Sequence, residues 1–151
     1  MPNHVHLILV PAGEDGLRRT LAPLHRQCTG YINARRRQTG HLWQGRFGSV
    51  VMDGDHALTA IHYVAMNPVR AGLAQAPEDW PWSSARAYLS GDDDGVTSVE
   101  TVREMVGDFK SFFGRPFETD QAYGALRQAE TIGRPLGSAA WLKDLEARTG
   151  R

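Results

Sequence analysis

Cysteine and long apolar runs are the scarcest features of this chain. Cys28 is the single cysteine among 151 residues, which excludes an internal disulfide and fits a reducing compartment. No apolar run approaches the ~18 residues that a membrane helix needs, and no signal-peptide pattern opens the chain. The length suits one domain with a substantial core. We therefore expect a globular, cytoplasmic protein that does not bind membranes.

Acidic residues are also missing from one long stretch, residues 17–52, although the formal net charge of the chain is zero. A polyanion responds to the local field, so this segregation is more informative than the total charge. The stretch predicts a phosphate-binding surface for nucleic acid, with a solvated helix face as the alternative. Within it, Trp43 is expected either to stack on an unpaired base or to fill the core. The residues expected to contact DNA are Arg18, Arg19, Arg26, Arg35, Arg36, Arg37, Trp43, Gln44 and Arg46.

Hydrophobic periodicity predicts two strands and several helices. Residues 4–10 have apolar side chains on both faces of a predicted central strand, and residues 46–52 form the second strand. Apolar spacing over residues 17–32 predicts a helix, and placing Pro23 in its first turn would start it near Ala22. The further predicted helices run from an Asp53 cap to about Asn67 before Pro68, from a Ser83 or Ser84 cap through Leu89, from a Thr97-x-x-Glu100 capping box, from Thr119 to Glu130, and from Ala139 to Arg148 behind a Ser138 cap.

Two histidines occupy alternate positions of the first predicted strand. Because alternate residues of a strand project to the same side, His4 and His6 could converge on one cation. Two polar residues at a strand end would give the same pattern. The pair therefore indicates a metal site only in combination with other ligands.

Tyr63 and Asn67 supply such a combination, since they lie four residues apart on a predicted helix and share one face. An amide oxygen can complete a hard-cation site that is built on two imidazoles. The phenol, one turn away, would be close enough to attack a phosphate held by that cation. The alternative is a core tyrosine and an asparagine that caps the helix before Pro68.

Four sequence blocks follow one another in order: residues 1–7 (MPNHVHL), 41–47 (HLWQGRF), 63–73 (YVAMNPVRAGL) and 80–84 (WPWSS). Together they resemble the single-tyrosine HUH transposases, in particular the REP-associated tyrosine transposases. The resemblance covers roughly residues 1–90 closely and residues 130–148 more loosely. Members of that family carry a strand and a helix before the first block, so the resemblance implies a catalytic domain that is incomplete at its amino terminus.

The resemblance implies an α+β fold for residues 1–90, with a small antiparallel sheet flanked by helices, as in the ferredoxin-like HUH endonucleases. Residues 91–151 would form a helical extension that begins at an acidic loop. The HUH motif falls on His4 and His6, the nucleophile on Tyr63 and the third metal ligand on Asn67. The implied activity is cleavage and rejoining of single-stranded or hairpin DNA through a 5′-phosphotyrosine, with Mg or Mn as cofactor.

Two other functions stay open. A non-catalytic protein could bind hairpin or single-stranded DNA through the arginine-rich helix and Trp43. A small zinc module could use Cys28, His25 or His41, but it would lack the paired ligand spacing that such sites have. The oligomeric state is open between a monomer and a homodimer.

Overall fold

The computed structural model describes residues 3–92, 94–115 and 120–150, and the regular elements among them are helices. Met1, Pro2, Asp93 and Thr119, which carry parts of the predicted motif, acidic loop and helix start, lie outside the described residues. No described helix has the length and apolar character needed to cross a membrane. The helices are α1 (Gly16–Arg36), α2 (Gly54–Arg70), α3 (Ala85–Ser90), α4 (Val99–Val106), α5 (Phe109–Phe113), α6 (Asp120–Ile132) and α7 (Ala139–Thr149), with a 3₁₀ turn at Pro77–Asp79.

The chain divides into two compact units. The large unit comprises Met1–Ile8 and Ser49–Arg151, and the small unit comprises Leu9–Gly48. The large unit holds α2 to α7 together with the segment that carries His4 and His6. The small unit holds α1 and the loop that carries Trp43.

The predicted antiparallel sheet, and with it the α+β class, is wrong. The described residues form no strand, and they hold one isolated bridge, between Met52 and Leu136. Residues 4–10 have no regular secondary structure, and Val5 is 67% and Val10 93% exposed. Their apolar pattern predicted a covered strand, but a strand needs neighbours that pair its backbone groups, and none lies beside this segment in the described residues. Periodicity alone could not reveal that.

Helix α2 lies at the centre of the large unit. The predicted Asp53 cap is confirmed, because its carboxylate accepts a hydrogen bond from the His56 backbone N–H at 3.0 Å. One side of α2 packs through Ile61 and Ala65 against Ala85 of α3 and the phenylalanines of α5. A second side packs through Ala60 against residues of α6. Burial on two sides fixes the direction in which the remaining face of α2 points.

The predicted end of α2 before Pro68 is wrong, because the helix continues to Arg70. A proline removes one backbone donor, but Pro68 sits buried in the last turn, where only a short piece of helix follows it. The actual stop lies at Gly72, whose φ of 68° is the left-handed conformation that glycine adopts readily. The Gly72 N–H bonds to the Val69 carbonyl and the Leu73 N–H to the Pro68 carbonyl, which is the Schellman pattern.

Other helix boundaries also differ from the sequence predictions. Helix α1 begins at Gly16 rather than near Ala22, because its apolar face, including buried Leu21, continues across the interior Pro23. The capping box at Thr97 is wrong, since Ser98 is the N-cap of α4 and Asp94 accepts two hydrogen bonds from Thr97. The Ser138 cap of α7 is confirmed by a hydrogen bond from the Trp141 N–H.

Asp53 also ties α2 to the loop before α7. Its second carboxylate oxygen accepts a hydrogen bond from the Ser138 N–H at 2.8 Å, beside the bridge between Met52 and Leu136. The pKa of Asp53 is lowered from 3.8 to about 2. The largest causes are the hydrogen bonds from the backbone N–H groups of His56 and Ser138, and the His56 side chain adds a smaller effect. The ionised carboxylate therefore stabilises the folded state.

We expect this contribution to make stability depend on pH. It is fully present above the unfolded pKa of 3.8 and is lost as the pH falls through the folded value of about 2. The stability advantage of the wild-type protein over Asp53→Asn, measured by urea unfolding, should shrink steadily from pH 4 to pH 2. Asp55→Asn removes a charge from the same helix turn and serves as the control. A constant difference over this pH range would contradict the proposed role of Asp53.

Candidate active site

Three rings lie next to one another in the large unit. The His4 and His6 ring centroids are 4.9 Å apart, and the His6 and Tyr63 centroids are 6.1 Å apart, both pairs with their planes nearly perpendicular. Residues that are distant in the sequence, at positions 6 and 63, are therefore neighbours in the fold. The proposed nucleophile and one of the two proposed histidine ligands share one small region.

Each histidine of this region has a partner at Nδ1. The His4 Nδ1 lies 2.8 Å from the Asn3 side-chain oxygen, and the His6 Nδ1 lies 3.1 Å from a Glu130 carboxylate oxygen. The pKa of His4 lies below its usual 6.5. The main cause is partial burial, and the second is the neighbouring His6. At neutral pH His4 is consequently in the uncharged form, which is the form that binds metal ions.

Tyr63 is held between aromatic and cationic neighbours. Its ring lies 5.1 Å from the ring of Tyr123, and the Arg70 guanidinium lies 5.0 Å from the Tyr63 ring centroid and 4.6 Å from that of Tyr123. The residue is half-buried, so packing restricts the ring without removing it from solvent. Contacts of this kind immobilise a side chain and place a positive charge beside it.

Asn67 and Arg70 lie on the same face of α2 as Tyr63, because they follow it by four and seven residues. Asn67 is half-buried on this face. Within the described part of the chain, no group of three or more His, Cys, Asp or Glu side chains could hold a metal ion. A cation site here therefore needs a ligand of another kind. The donor set of His4, His6 and the Asn67 amide fits this requirement chemically.

The sequence prediction missed three residues of this region: Arg70, Tyr123 and Glu130. Arg70 had a usable signal, because it stands two helical turns after Tyr63. Tyr123 and Glu130 had none, since they approach from α6 and their contacts depend on how that helix packs on α2. Long-range packing of this kind leaves no periodic mark in a sequence.

The two histidines of α2 make contacts of their own with Asp53 and Tyr123. The His56 Nδ1 lies 2.6 Å from the Asp53 carboxylate, and the buried His62 has its Nδ1 2.8 Å from the Tyr123 hydroxyl. The Tyr123 side chain is 1% exposed. Its hydroxyl is therefore shielded, whereas Tyr63 keeps part of its surface in solvent.

The arginines of the small unit, both on α1 and in the loop that follows it, are exposed. Arg18 pairs with Asp15 at 2.7 Å, and Arg35 donates a hydrogen bond to the Tyr31 hydroxyl at 3.0 Å. At 3.6 residues per turn, four of them fall within an arc of roughly 100° around the helix axis. These four, which we call the arginine face of α1, are Arg18, Arg19, Arg26 and Arg36. The other predicted contact residues are exposed too but do not belong to this face. Arg35 lies on another side of α1, and the remaining three, Arg37, Gln44 and Arg46, follow the helix.

Trp43 is half-buried inside the small unit. Its ring stacks on His25 with centroids 4.3 Å apart and planes 18° apart, and its indole N–H donates to the His25 carbonyl at 3.2 Å. The residue thus fixes the loop after α1 against the helix. These contacts favour the packing interpretation of Trp43 over base stacking. Cys28, His25 and His41 form no metal-binding group among the described residues.

No protein-family profile matches the chain, and no solved structure gives a significant match. The chain is similar to a protein of Haemophilus influenzae that is provisionally named a REP-associated tyrosine transposase. The two sequences are 27% identical over 95 residues, and the match covers 56% of this chain. It covers 54% of the relative, so the chain spans about half the length of the curated protein to which it is similar.

Proposed function

We propose that this chain is a transposase that cuts and rejoins single-stranded DNA, with Tyr63 as the nucleophile. The observation that carries the proposal is the grouping of His4, His6 and Tyr63 in one region of the large unit. The similarity to a protein named as a tyrosine transposase agrees with it.

The reaction follows from the chemistry of a phenol. The Tyr63 oxygen attacks the scissile phosphorus, a bond forms between that oxygen and phosphorus, and the bond from phosphorus to the 3′-oxygen breaks. The phenol gives up its proton and the departing 3′-oxygen takes one up, so the products are a 3′-hydroxyl and a 5′-phosphotyrosine. Because the covalent link conserves the phosphodiester, a 3′-hydroxyl from another DNA end can reverse the step and join the strands without ATP.

The proposed cation site consists of His4, His6 and Asn67. A magnesium or manganese ion bound there would supply Lewis-acid polarisation of a phosphate oxygen. The protein's own contribution is to keep the His4 imidazole uncharged and to hold the His6 ring beside the ring of Tyr63. Asn67 would add a neutral oxygen ligand from the turn that follows Tyr63.

Arg70 supplies the positive charge nearest to Tyr63 in the described contacts. A guanidinium binds phosphate oxygens in a defined orientation, and its aromatic contacts with Tyr63 and Tyr123 keep it near the phenol. We assign to Arg70 the contact with the scissile phosphate or with the phosphate next to it.

A second candidate is a non-catalytic protein that binds single-stranded or hairpin DNA. The observation in its favour is that the described residues contain no sheet around His4 and His6. The arginine face of α1 would then account for the whole function.

One experiment separates the two candidates. The wild-type protein is incubated with magnesium or manganese and a pool of random single-stranded and hairpin oligonucleotides that carry a label at the 3′ end. A 5′-phosphotyrosine leaves this label on the protein, so a labelled protein band on a denaturing gel supports the transposase. Shifted complexes on a native gel, without any covalent band, would support the non-catalytic protein.

The arginine face of α1 should make DNA binding sensitive to salt. Each arginine that neutralises a phosphate adds nearly one unit to the slope of log affinity against log salt. Arg19→Ala, Arg26→Ala and Arg36→Ala together should lower that slope by about 2 to 3 units in fluorescence anisotropy titrations. Arg86→Ala with Arg148→Ala, in the large unit, provides the control for a general loss of positive charge. An unchanged slope in the triple variant would identify the face as solvated surface only.

A further inference from the structure

We propose that Glu130 of helix α6 is a positioning residue of the active site. Its carboxylate accepts a hydrogen bond from the Nδ1–H of His6, which orients the ring and leaves Nε2 free. This inference rests on the proposed function of His6. The distance from the His6 Nδ1 to the nearer Glu130 oxygen is 3.1 Å, and the His6 side chain is 20% exposed. The contact joins the amino-terminal segment to a helix that is more than a hundred residues away in the sequence.

A neutral imidazole has two nitrogens, and only one of them carries a proton. A carboxylate next to Nδ1 accepts that proton in a hydrogen bond and so stabilises the tautomer in which Nε2 has a free lone pair. Histidines that bind metals usually donate their other N–H to a carboxylate or carbonyl in this way. Glu130 therefore leaves on His6 the one nitrogen that can take a cation.

His6 depends on this contact because its own segment gives little support. Residues 4–10 have no regular secondary structure, so no backbone ladder sets the direction of the His6 side chain. The ring contacts described for His6 are with His4, Tyr63 and Glu130. Of these, only Glu130 offers a charged hydrogen-bond acceptor at a defined nitrogen.

Helix α6 contacts both halves of the proposed site. Tyr123 packs against Tyr63 at 5.1 Å between centroids, and Glu130, seven residues later and on the same helix face, contacts His6. One helix thus contacts both the proposed nucleophile and the proposed metal ligand. We infer that α6 is part of the active site rather than an accessory extension.

The competing explanation is an ordinary surface ion pair. The Glu130 side chain is 50% exposed, and exposed pairs contribute little to stability. Such a pair would leave the tautomer of His6 and the metal affinity of the protein unchanged when Glu130 is replaced. The two explanations therefore differ in quantities other than folding stability.

The first measurement is the tautomer of His6 by ring ¹⁵N NMR in the full-length, metal-free protein above pH 7.5, assigned with a His6→Ala variant. We expect the Nδ1–H tautomer in the wild type and in Glu130→Gln, whose amide oxygen can still accept the hydrogen bond. Glu130→Ala should shift His6 towards a mixture of both tautomers. The control is Glu146→Ala, which removes an exposed glutamate of α7.

The second measurement is Mn²⁺ affinity by electron paramagnetic resonance, with manganese alone and no DNA. Loss of a carboxylate that orients a ligating histidine typically weakens metal binding by about 10 to 100-fold, which we expect for Glu130→Ala. A smaller decrease is expected for Glu130→Gln and no change for Glu146→Ala. An Nε2–H tautomer of His6 in the wild type would overturn the proposal even if Glu130→Ala fails to fold, and so would an unchanged affinity in a folded Glu130→Ala.

Failure of this proposal and failure of the proposed function remain distinguishable. Covalent DNA attachment by the wild-type protein tests the nucleophile without reference to Glu130. If attachment occurs and His6 carries its proton on Nε2, only the role of Glu130 is lost. If His6 has the expected tautomer but no attachment occurs, the contact is present and the transposase assignment is lost.

Discussion

Tyr63→Phe is expected to abolish both DNA cleavage and the covalent adduct while leaving the fold intact. The substitution removes one oxygen but keeps the ring that packs against Tyr123, His6 and the Arg70 guanidinium. Loss of a nucleophile removes the covalent step itself, so the rate should fall on the order of 10³-fold or more. The 3′-labelled single-stranded substrate described above, on a denaturing gel, measures this loss. DNA binding on a native gel should persist.

The matched control for this variant is Tyr31→Phe. Tyr31 belongs to the small unit and is 62% exposed, and its hydroxyl accepts a local hydrogen bond from Arg35. It should retain full adduct formation. Mass spectrometry of the DNA-linked peptide then identifies the attached tyrosine. Attachment to Tyr31, Tyr88 or Tyr123, or full cleavage by Tyr63→Phe, would refute the assignment.

The combined His4→Ala and His6→Ala variant is expected to lose metal-dependent cleavage by at least about 10²-fold, because Lewis-acid stabilisation of the phosphate contributes several kcal/mol. Wild-type cleavage should require magnesium or manganese and should stop when the ion is chelated. DNA binding should change little, since the phosphate contacts are assigned to the arginine face of α1 and to Arg70, which this variant keeps. Rates against metal concentration, compared with parallel binding titrations, measure both effects.

Two further variants sharpen the metal prediction. His41→Ala removes an exposed histidine of the small unit and should cleave DNA as the wild type does. Asn67→Ala should need more metal for half-maximal cleavage without changing which tyrosine becomes attached to DNA. Undiminished cleavage by the wild-type protein in excess chelator would exclude the cation site of His4, His6 and Asn67.

Local signals in the sequence determined much of what surrounds the proposed nucleophile. The Asp53 cap and the helix that places Tyr63 and Asn67 on one face depend on residues within a few positions of each other. Interactions over one or two turns are written directly into the residue spacing. The same is true of the acid-free stretch 17–52, whose exposed arginines follow from its polarity and its helical period.

The predicted sheet shows where local signals fail. Residues 4–10 have the composition of a buried strand, yet Val10 is 93% exposed and the segment pairs with no strand in the described residues. Whether an apolar stretch becomes a strand depends on a partner elsewhere in space, and its own pattern contains no information about that partner. Pro68 shows the same limit on a smaller scale, because its burial in the last turn of α2 outweighed its tendency to end a helix.

The sequence by itself determined which residue types are present and which of them share a helix face. Both follow from the covalent order and from the fixed number of residues per helical turn. Only the tertiary structure decided that His6 lies beside Tyr63 and that Glu130 reaches the His6 imidazole. Those contacts arise from the packing of Ala60 of α2 against Tyr123 and Leu126 of α6, and no local pattern relates the burial of the first residue to that of the other two. Burial of apolar surface between distant segments is non-directional, so its outcome depends on the shape of the whole large unit.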